Sequence, residues 1–183
     1  MNTTKTGEKK NKAILIDRDG VLVEDIGYHH KLEDLRIIPN AVEGLKLLKD
    51  FKLIVITNQS RIGRGYYTLK DYEKFNDYML KELNKEKIKI EKIYVCPHKP
   101  EDNCECRKPK TKLIKDAEKE FNIDLSKSFM VGDKKIDVEM GKNAGVKTIL
   151  VLTGNGMKEK ENSNADYVAK DLVDAAKWVL SNN

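Results

Sequence analysis

Two aspartates, Asp17 and Asp19, stand two residues apart where the apolar run Ala13 to Ile16 breaks off, and Gly20 follows them. Paired carboxylates repel each other, so the pair is costly unless a cation or a proton-transfer task uses it. A second acidic turn, Gly132-Asp133-Lys134-Lys135-Ile136-Asp137, lies far along the chain. Asp17, Asp19 and Asp133 are hard oxygen donors of the kind that suits magnesium. Thr57 offers a hydroxyl, Asn58 an amide and Lys108 a cation, which are the groups a phosphoryl oxygen needs. An aspartate beside magnesium can attack phosphorus and form an acyl phosphate. A second aspartate can protonate the leaving alcohol and then deprotonate the attacking water. No GxxxxGK[ST] loop is present, so nucleotide chemistry of the P-loop kind is not indicated.

The three cysteines all fall between residues 96 and 106, as Cys96-Pro97-His98 and Cys104-Glu105-Cys106. Three thiolates and an imidazole at this spacing match a closed tetrahedral Cys₃His zinc site. A closed site leaves no position for water, so the zinc is expected to be structural. It would pin a loop poor in apolar residues and hold Arg107 and Lys108 on a fixed base. An odd, clustered set of cysteines argues against a disulfide framework and for a reducing, cytoplasmic setting.

Elements must bring these groups together. Apolar runs predict strands at Ala13–Ile16, Leu53–Ile56, Lys92–Val95, Ser128–Val131, Thr148–Leu152 and Asp166–Val168. Helical patterns predict Asn40–Asp50, with Pro39 at its first turn and Val42, Leu45, Leu47 and Leu48 buried. Further helices are expected from a Thr68 cap to Leu83 and over Thr111–Phe121, Ile136–Ala144 and Leu172–Leu180. This alternation implies an α/β fold, a mostly parallel sheet with helices on both faces. The polar clusters then follow successive strands and converge on one sheet edge. Trp178, in the last helix, reads as core.

The 183 residues suit one domain, with 39% hydrophobic and 36% charged residues. Lys5, Lys9, Lys10 and Lys12 stand against Glu8 alone, so most of the net charge of +5 lies in the first 12 residues. Residues 1–12 read as a flexible basic tail, and 13–183 as a single domain. Elsewhere lysines interleave with acids, a solvated pattern that argues against a nucleic-acid partner. No apolar run spans a membrane, no secretory signal precedes the first strand, and a monomer is the default.

Asp17-Arg18-Asp19-Gly20-Val21, Thr57, Lys108 and Gly132-Asp133 with Asp137 resemble the four motifs of the haloacid dehalogenase superfamily of phosphatases, in family order and across nearly the whole chain. The resemblance implies a Rossmann-like fold with Asp17 as nucleophile and Asp19 as general acid/base. It implies magnesium held by Asp17, the Asp19 carbonyl and Asp133, with Asp137 positioning the metal's waters. Thr57 and Lys108 would steady the transferring phosphoryl group. No insertion is large enough for a cap domain.

The zinc loop ending Cys106-Arg107-Lys108-Pro109 is similar to two groups within that superfamily. These are the D-glycero-D-manno-heptose 1,7-bisphosphate 7-phosphatases and the histidinol-phosphate phosphatases. Thr57-Asn58-Gln59-Ser60 through Arg64-Gly65-Tyr66 looks like the heptose group's segment, although Arg61 replaces its usual glycine. Asp25-Ile26-Gly27-Tyr28 resembles that group's substrate-contacting turn, and Asp133-Lys134 its metal acid and substrate lysine. The resemblance implies a magnesium-dependent phosphomonoesterase that removes the C7 phosphate in nucleotide-activated heptose biosynthesis. Its substrate would be a small sugar phosphate, with the anomer left open. A second phosphate needs cations beyond Lys108, for which Arg107, Lys134 and Arg64 are the candidates. The competing readings are a histidinol-phosphate phosphatase, a DNA-end phosphatase and a non-catalytic zinc-stabilised binding module. His29 and His30 lack ligand spacing and read as wall or solvent-facing residues.

Overall fold

A computed structural model describes residues 9–27 and 31–183. Among them, six strands form one parallel sheet: β1 (Ala13–Ile16), β2 (Lys52–Asn58), β3 (Ile90–Cys96), β4 (Phe129–Gly132), β5 (Lys147–Val151) and β6 (Tyr167–Ala169). Their order is β3-β2-β1-β4-β5-β6, and every neighbouring pair is parallel. The chain leaves β1 toward β2 on one side and returns to β4 on the other. The carboxyl ends of β1 and β4 therefore flank the switch point, where open α/β sheets hold ligands.

Alternation along the strands divides the core. Ile14, Ile16 and Val55 face one side, where they meet α1 (Ala41–Leu47), α3 (Leu69–Lys85) and α7 (Leu172–Ser181) through Leu45, Met79 and Val179. Ala13, Leu15, Ile54 and Ile56 face the other, against Leu113, Ile114 and Ala117 of α4 (Lys112–Phe121) and Met140 of α5 (Lys135–Ala144). Strands buried on both faces read as continuous apolar runs. Short helices α2 (Ser60–Gly63) and α6 (Gly156–Glu159) sit in loops that sequence patterning did not resolve.

Local signals explain most boundaries. Thr68 caps α3 as expected: its Oγ1 accepts from the Asp71 N–H, and the Asp71 carboxylate accepts from the Thr68 N–H. Trp178 stacks on Tyr167 at 5.1 Å and meets Phe129 edge-on, as a core residue should.

Three expectations need correction. Pro39 is not in the first turn of α1, because Asn40 is the cap and takes a left-handed φ of 67°. Leu47 is exposed, while Ala41 takes the buried place, because a seven-residue helix presents one narrow stripe. The basic tail stops short of residue 12. Asn11 donates to the Asn122 carbonyl and accepts from the Asp124 N–H, which ties it to the end of α4. Residues 1–8 lie outside the described residues. No helix among the described residues is long and apolar enough to cross a membrane.

Candidate active site and metal centre

The sheet gathers the chemistry at its carboxyl edge. Thr57 and Asn58, expected in a turn, are the last two residues of β2, still paired with Val95 and Cys96 of β3. Asp17 and Asp19 leave β1, Asp133 leaves β4, and Lys108 arrives from the loop after β3. Lys108 is buried and ends between two carboxylates, 2.8 Å from Asp17 Oδ1 and 2.6 Å from Asp137 Oδ1, and it donates to the Ile56 carbonyl. Burial alone would lower the Lys108 pKa, but the two carboxylates outweigh it and hold the ammonium charged. Asn58 fixes the Lys108 backbone, its Oδ1 accepting from the Lys108 N–H at 3.1 Å.

Asp133 is hydrogen-bonded through one oxygen only. Its Oδ2 accepts from the Asn155 N–H and side-chain amide at 2.8 and 3.0 Å. Its Oδ1 is buried with no hydrogen-bond partner. Burial, joined by the negative charge of Asp17, pushes the Asp133 carboxyl above the usual range. Gly20, at φ 88°, leaves the space this carboxylate fills, since a Cβ there would fall inside Asp133 Oδ2.

An orphaned carboxylate oxygen beside a second carboxylate fits a divalent cation with oxygen preference. Asp17, Asp133 and Asp137 lie close enough to share one. The Asp137 carboxylate is already engaged, however. Its Oδ1 holds Lys108 and its Oδ2 accepts the Lys134 N–H at the start of α5. Burial pushes the Asp137 carboxyl up, to about 7, with Lys108 opposing.

Asp19 is held differently. The buried Arg18 guanidinium donates from Nε to Asp19 Oδ1 at 3.0 Å and from Nη2 to Oδ2 at 3.1 Å. Gln59 Nε2 donates to the same Oδ2 at 2.6 Å and to Thr57 Oγ1 at 2.9 Å, while the Tyr67 hydroxyl donates to Gln59 Oε1. Arg18 itself lies over the Tyr72 and Phe75 rings and donates to Asn76 Oδ1, so α3 supports Asp19 from behind.

A cleft of about 180 Å³ opens above these groups. Asp17, Asp19 and Lys108 line it, as do Asp25, Gly27, Asn58, Gln59, Ser60 and Lys134, all expected from sequence. Arg61, Tyr67 and Ile136 complete the lining. Two expected substrate cations are directed elsewhere. Arg64 pairs with Glu101 at 3.0 Å, and Arg107 donates to the His98 carbonyl at 3.3 Å; neither lines the cleft. Tyr28, His29 and His30 lie outside the described residues.

Asn155, Arg18 and Tyr67 were missed in the sequence. Asn155 had a readable signal. Thr153-Gly154-Asn155-Gly156 is a polar turn after the fifth strand, on the same edge as the four clusters already noted. Thr153 Oγ1 ties this turn to the Gly20 carbonyl at 2.7 Å. Arg18 had none, because a cation beside acids reads as solvated until its burial is seen.

The second cluster lies beyond β3. Cys96 Sγ is 3.5 Å from Cys104 Sγ, Cys104 and Cys106 are 3.6 Å apart, and His98 Nδ1 is 3.2 Å from Cys106 and 3.8 Å from Cys96. Zinc–sulfur bonds of about 2.3 Å arranged tetrahedrally give sulfur–sulfur edges of about 3.8 Å. The four donors thus fit a tetrahedral cation. Burial pushes the Cys96 thiol up to about 12, so its thiolate needs a positive neighbour.

Parallel sheet, switch point and acidic rim together define a haloacid-dehalogenase-like hydrolase, and a family model described as HAD-hydrolase-like matches residues 105–175. The chain is 45% identical over 172 residues to the D-glycero-beta-D-manno-heptose-1,7-bisphosphate 7-phosphatase of Helicobacter pylori strain J99, covering 92% of this chain and 97% of that protein. It is 43% identical over 145 residues to the D-glycero-alpha-D-manno-heptose-1,7-bisphosphate 7-phosphatase of Campylobacter jejuni, covering 78% and 83%. The crystal structure of D,D-heptose 1,7-bisphosphate phosphatase from B. bronchiseptica, complexed with magnesium and phosphate, superposes with a TM-score of 0.87 at 29% identity, covering 94% of this chain and 99% of that one. The chain belongs to the family of the heptose-1,7-bisphosphate 7-phosphatases.

Proposed function

We propose that this chain removes the C7 phosphate of D-glycero-D-manno-heptose 1,7-bisphosphate through a phosphoaspartate at Asp17. The observation that carries the reading is the Asp17–Lys108–Asp137 triad beside the open Asp133 oxygen, in a chain similar along most of its length to phosphatases of that substrate.

Asp17, the Asp19 carbonyl and Asp133 would hold magnesium, which supplies positive charge against the phosphate and the crowded carboxylates. The residues do the rest. Lys108 holds the Asp17 carboxylate in place through an ion pair at 2.8 Å. Asp17 attacks phosphorus: the Oδ–P bond forms, the P–O bond to C7 breaks, and Asp19 gives its proton to the leaving alkoxide. Asp19 then takes a proton from water, the water oxygen attacks phosphorus, and the P–Oδ bond breaks to release phosphate. Asp19 faces Arg18 and Gln59. Its part in the reaction therefore asks it to turn from that pair toward the leaving oxygen, at the cleft wall it already lines. Thr57 orients Gln59 from below.

Zinc at Cys96, His98, Cys104 and Cys106 would be structural, with the thiols kept reduced in a cytoplasmic setting. The enzyme would act as a monomer of one domain on a small sugar phosphate, without nucleic acid.

The test is phosphate release with magnesium from both heptose bisphosphate anomers, fructose 1,6-bisphosphate, histidinol phosphate and a 3′-phosphorylated DNA end. The heptose bisphosphates should give the highest kcat/KM. Preference for histidinol phosphate or the DNA end, or no hydrolysis at all, would replace this reading with a competing one.

A further inference from the structure

The structure assigns Tyr67 a positioning role: its hydroxyl fixes which face of the Gln59 amide meets Asp19, and so keeps the proton of that acid for the leaving oxygen. This rests on the reading above, in which Asp19 protonates the leaving alkoxide.

The backbone of Gln59 is pinned, and its amide is left to choose. The Gln59 N–H donates to the Cys96 carbonyl at 2.7 Å, which ties the residue to the end of β3. The two faces of its amide do opposite things, since Nε2 donates and Oε1 accepts. Nε2 is turned to Asp19 Oδ2 at 2.6 Å and to Thr57 Oγ1 at 2.9 Å. Oε1 is taken by the Tyr67 hydroxyl at 2.6 Å. The Thr57 hydroxyl can donate or accept, so it does not select a face. Tyr67 is 6% exposed, and a buried phenol needs an acceptor for its hydrogen. Burial also holds its hydroxyl above the usual tyrosine range, so it remains a donor at neutral pH.

The local chain sets Tyr67 for this contact. Gly65, at φ 75°, turns the backbone between α2 and α3, and the Thr68–Asp71 cap fixes the residue that follows Tyr67. The ring then stands in the cleft wall with its hydroxyl on Gln59. In the acid step Asp19 carries the proton bound for the leaving alkoxide. Arg18 and Gln59 present N–H groups to it, which do not compete for that proton. A turned amide would offer Oε1 as a rival acceptor. Tyr67→Phe removes the hydroxyl that holds Oε1 away and keeps the ring.

The experiment measures kcat/KM for heptose 1,7-bisphosphate, whose leaving group is an alkoxide, and for p-nitrophenyl phosphate, whose leaving group departs as a stable anion. It compares wild type, Asp19→Asn, Tyr67→Phe, Gln59→Met and the Tyr67→Phe/Gln59→Met double variant. Asp19→Asn should lose roughly 10²- to 10⁴-fold on the bisphosphate and far less on the aryl ester. Tyr67→Phe should lose about 3- to 10-fold on the bisphosphate, the worth of one hydrogen bond. It should stay near wild type on the aryl ester, which also reports an intact fold. In the Gln59→Met background the same change should cost less than about twofold, because its effect passes through Gln59. Equal losses of Tyr67→Phe on both esters, no loss on the bisphosphate, or an undiminished loss in the Gln59→Met background overturns the assignment and leaves the proposed function standing. An Asp19→Asn variant that loses equally on both esters, or a wild type that does not hydrolyse the bisphosphate, overturns the reading above and this inference with it.

Discussion

Two cation sites stand at one sheet edge, and they are built in opposite ways. The acidic site is assembled by the fold. Asp17 and Asp133 leave adjacent strands at the switch point and are buried, and Asp17 is already bridged to a lysine whose backbone Asn58 fixes. The Cys/His site joins Cys96, buried at the end of β3, to a loop whose donors His98, Cys104 and Cys106 are at least partly exposed and whose spacer, Lys99 to Asn103, contributes only a short 3₁₀ turn. The first site would survive without its cation, because Lys108 relieves part of the carboxylate repulsion. The second has weaker holds without a cation: Cys104 and Cys106 pack beside Cys96 at the edge of the core, and Arg107 donates to the His98 carbonyl. A metal at the first site would serve chemistry, while a metal at the second would serve shape.

The largest expected effect separates chemistry from fold at the acidic site. Asp17→Asn removes the nucleophile and should lower kcat on the order of 10⁴-fold or more. The folded state should persist, because losing one carboxylate also relieves the charge on Asp133. Steady-state turnover and circular dichroism check both halves. Residual activity near wild type would end the covalent mechanism, and a collapsed fold would end the claim that the sheet builds this site unaided.

The contrasting effect belongs to the loop. Cys104→Ser should drop the zinc content from one per chain to none. Closing a loop of this length stabilises by about 3 kcal/mol in the cross-link picture, so Tm should fall by roughly 6 to 12 °C. Lys108 keeps its Asn58 and carboxylate anchors without zinc. Activity should therefore weaken mainly through KM, with kcat falling less. Elemental analysis, a thermal melt and kinetics decide it. A zinc-free variant with unchanged Tm and KM would show that the loop holds itself.

Both sites were legible in the sequence, for different reasons. The Cys/His cluster lies within 11 residues, so its spacing alone suggested the tetrahedron that the sulfur distances now describe. The acidic site is scattered over more than 100 residues, and what joined it was the rule that parallel strands end on one edge. All six strands were found to within a few residues. The shortfalls lie where burial, not pattern, decides the outcome. Thr57 and Asn58 looked like a turn because they are polar, yet they complete β2. Arg64 and Arg107 read as phosphate ligands because they are cations near the motifs, and the partners they meet, Glu101 and the His98 carbonyl, could be seen only in three dimensions. Arg18 carried no readable signal and is fully buried, since its guanidinium meets Asp19, Asn76 and two aromatic faces.

The smallest effect sharpens the comparison by pH. Burial and the Asp17 charge raise the Asp133 carboxyl above its unfolded value of about 3.9. Without a divalent cation, the folded state therefore binds a proton that the unfolded state has already lost. Stability linked to Asp133 is fully present below the unfolded pKa and fades as pH rises through the folded one. Magnesium needs the carboxylate, so it competes with that proton. Its stabilisation should be weaker at acid pH and grow as pH rises through the raised Asp133 pKa, until magnesium at about tenfold its Kd adds about 1.4 kcal/mol, or roughly 3 to 6 °C in Tm. Melts with and without magnesium across this range measure the increment. An increment equal at both ends would mean that the cation does not engage Asp133, and the acidic rim would then need another partner for its open oxygen.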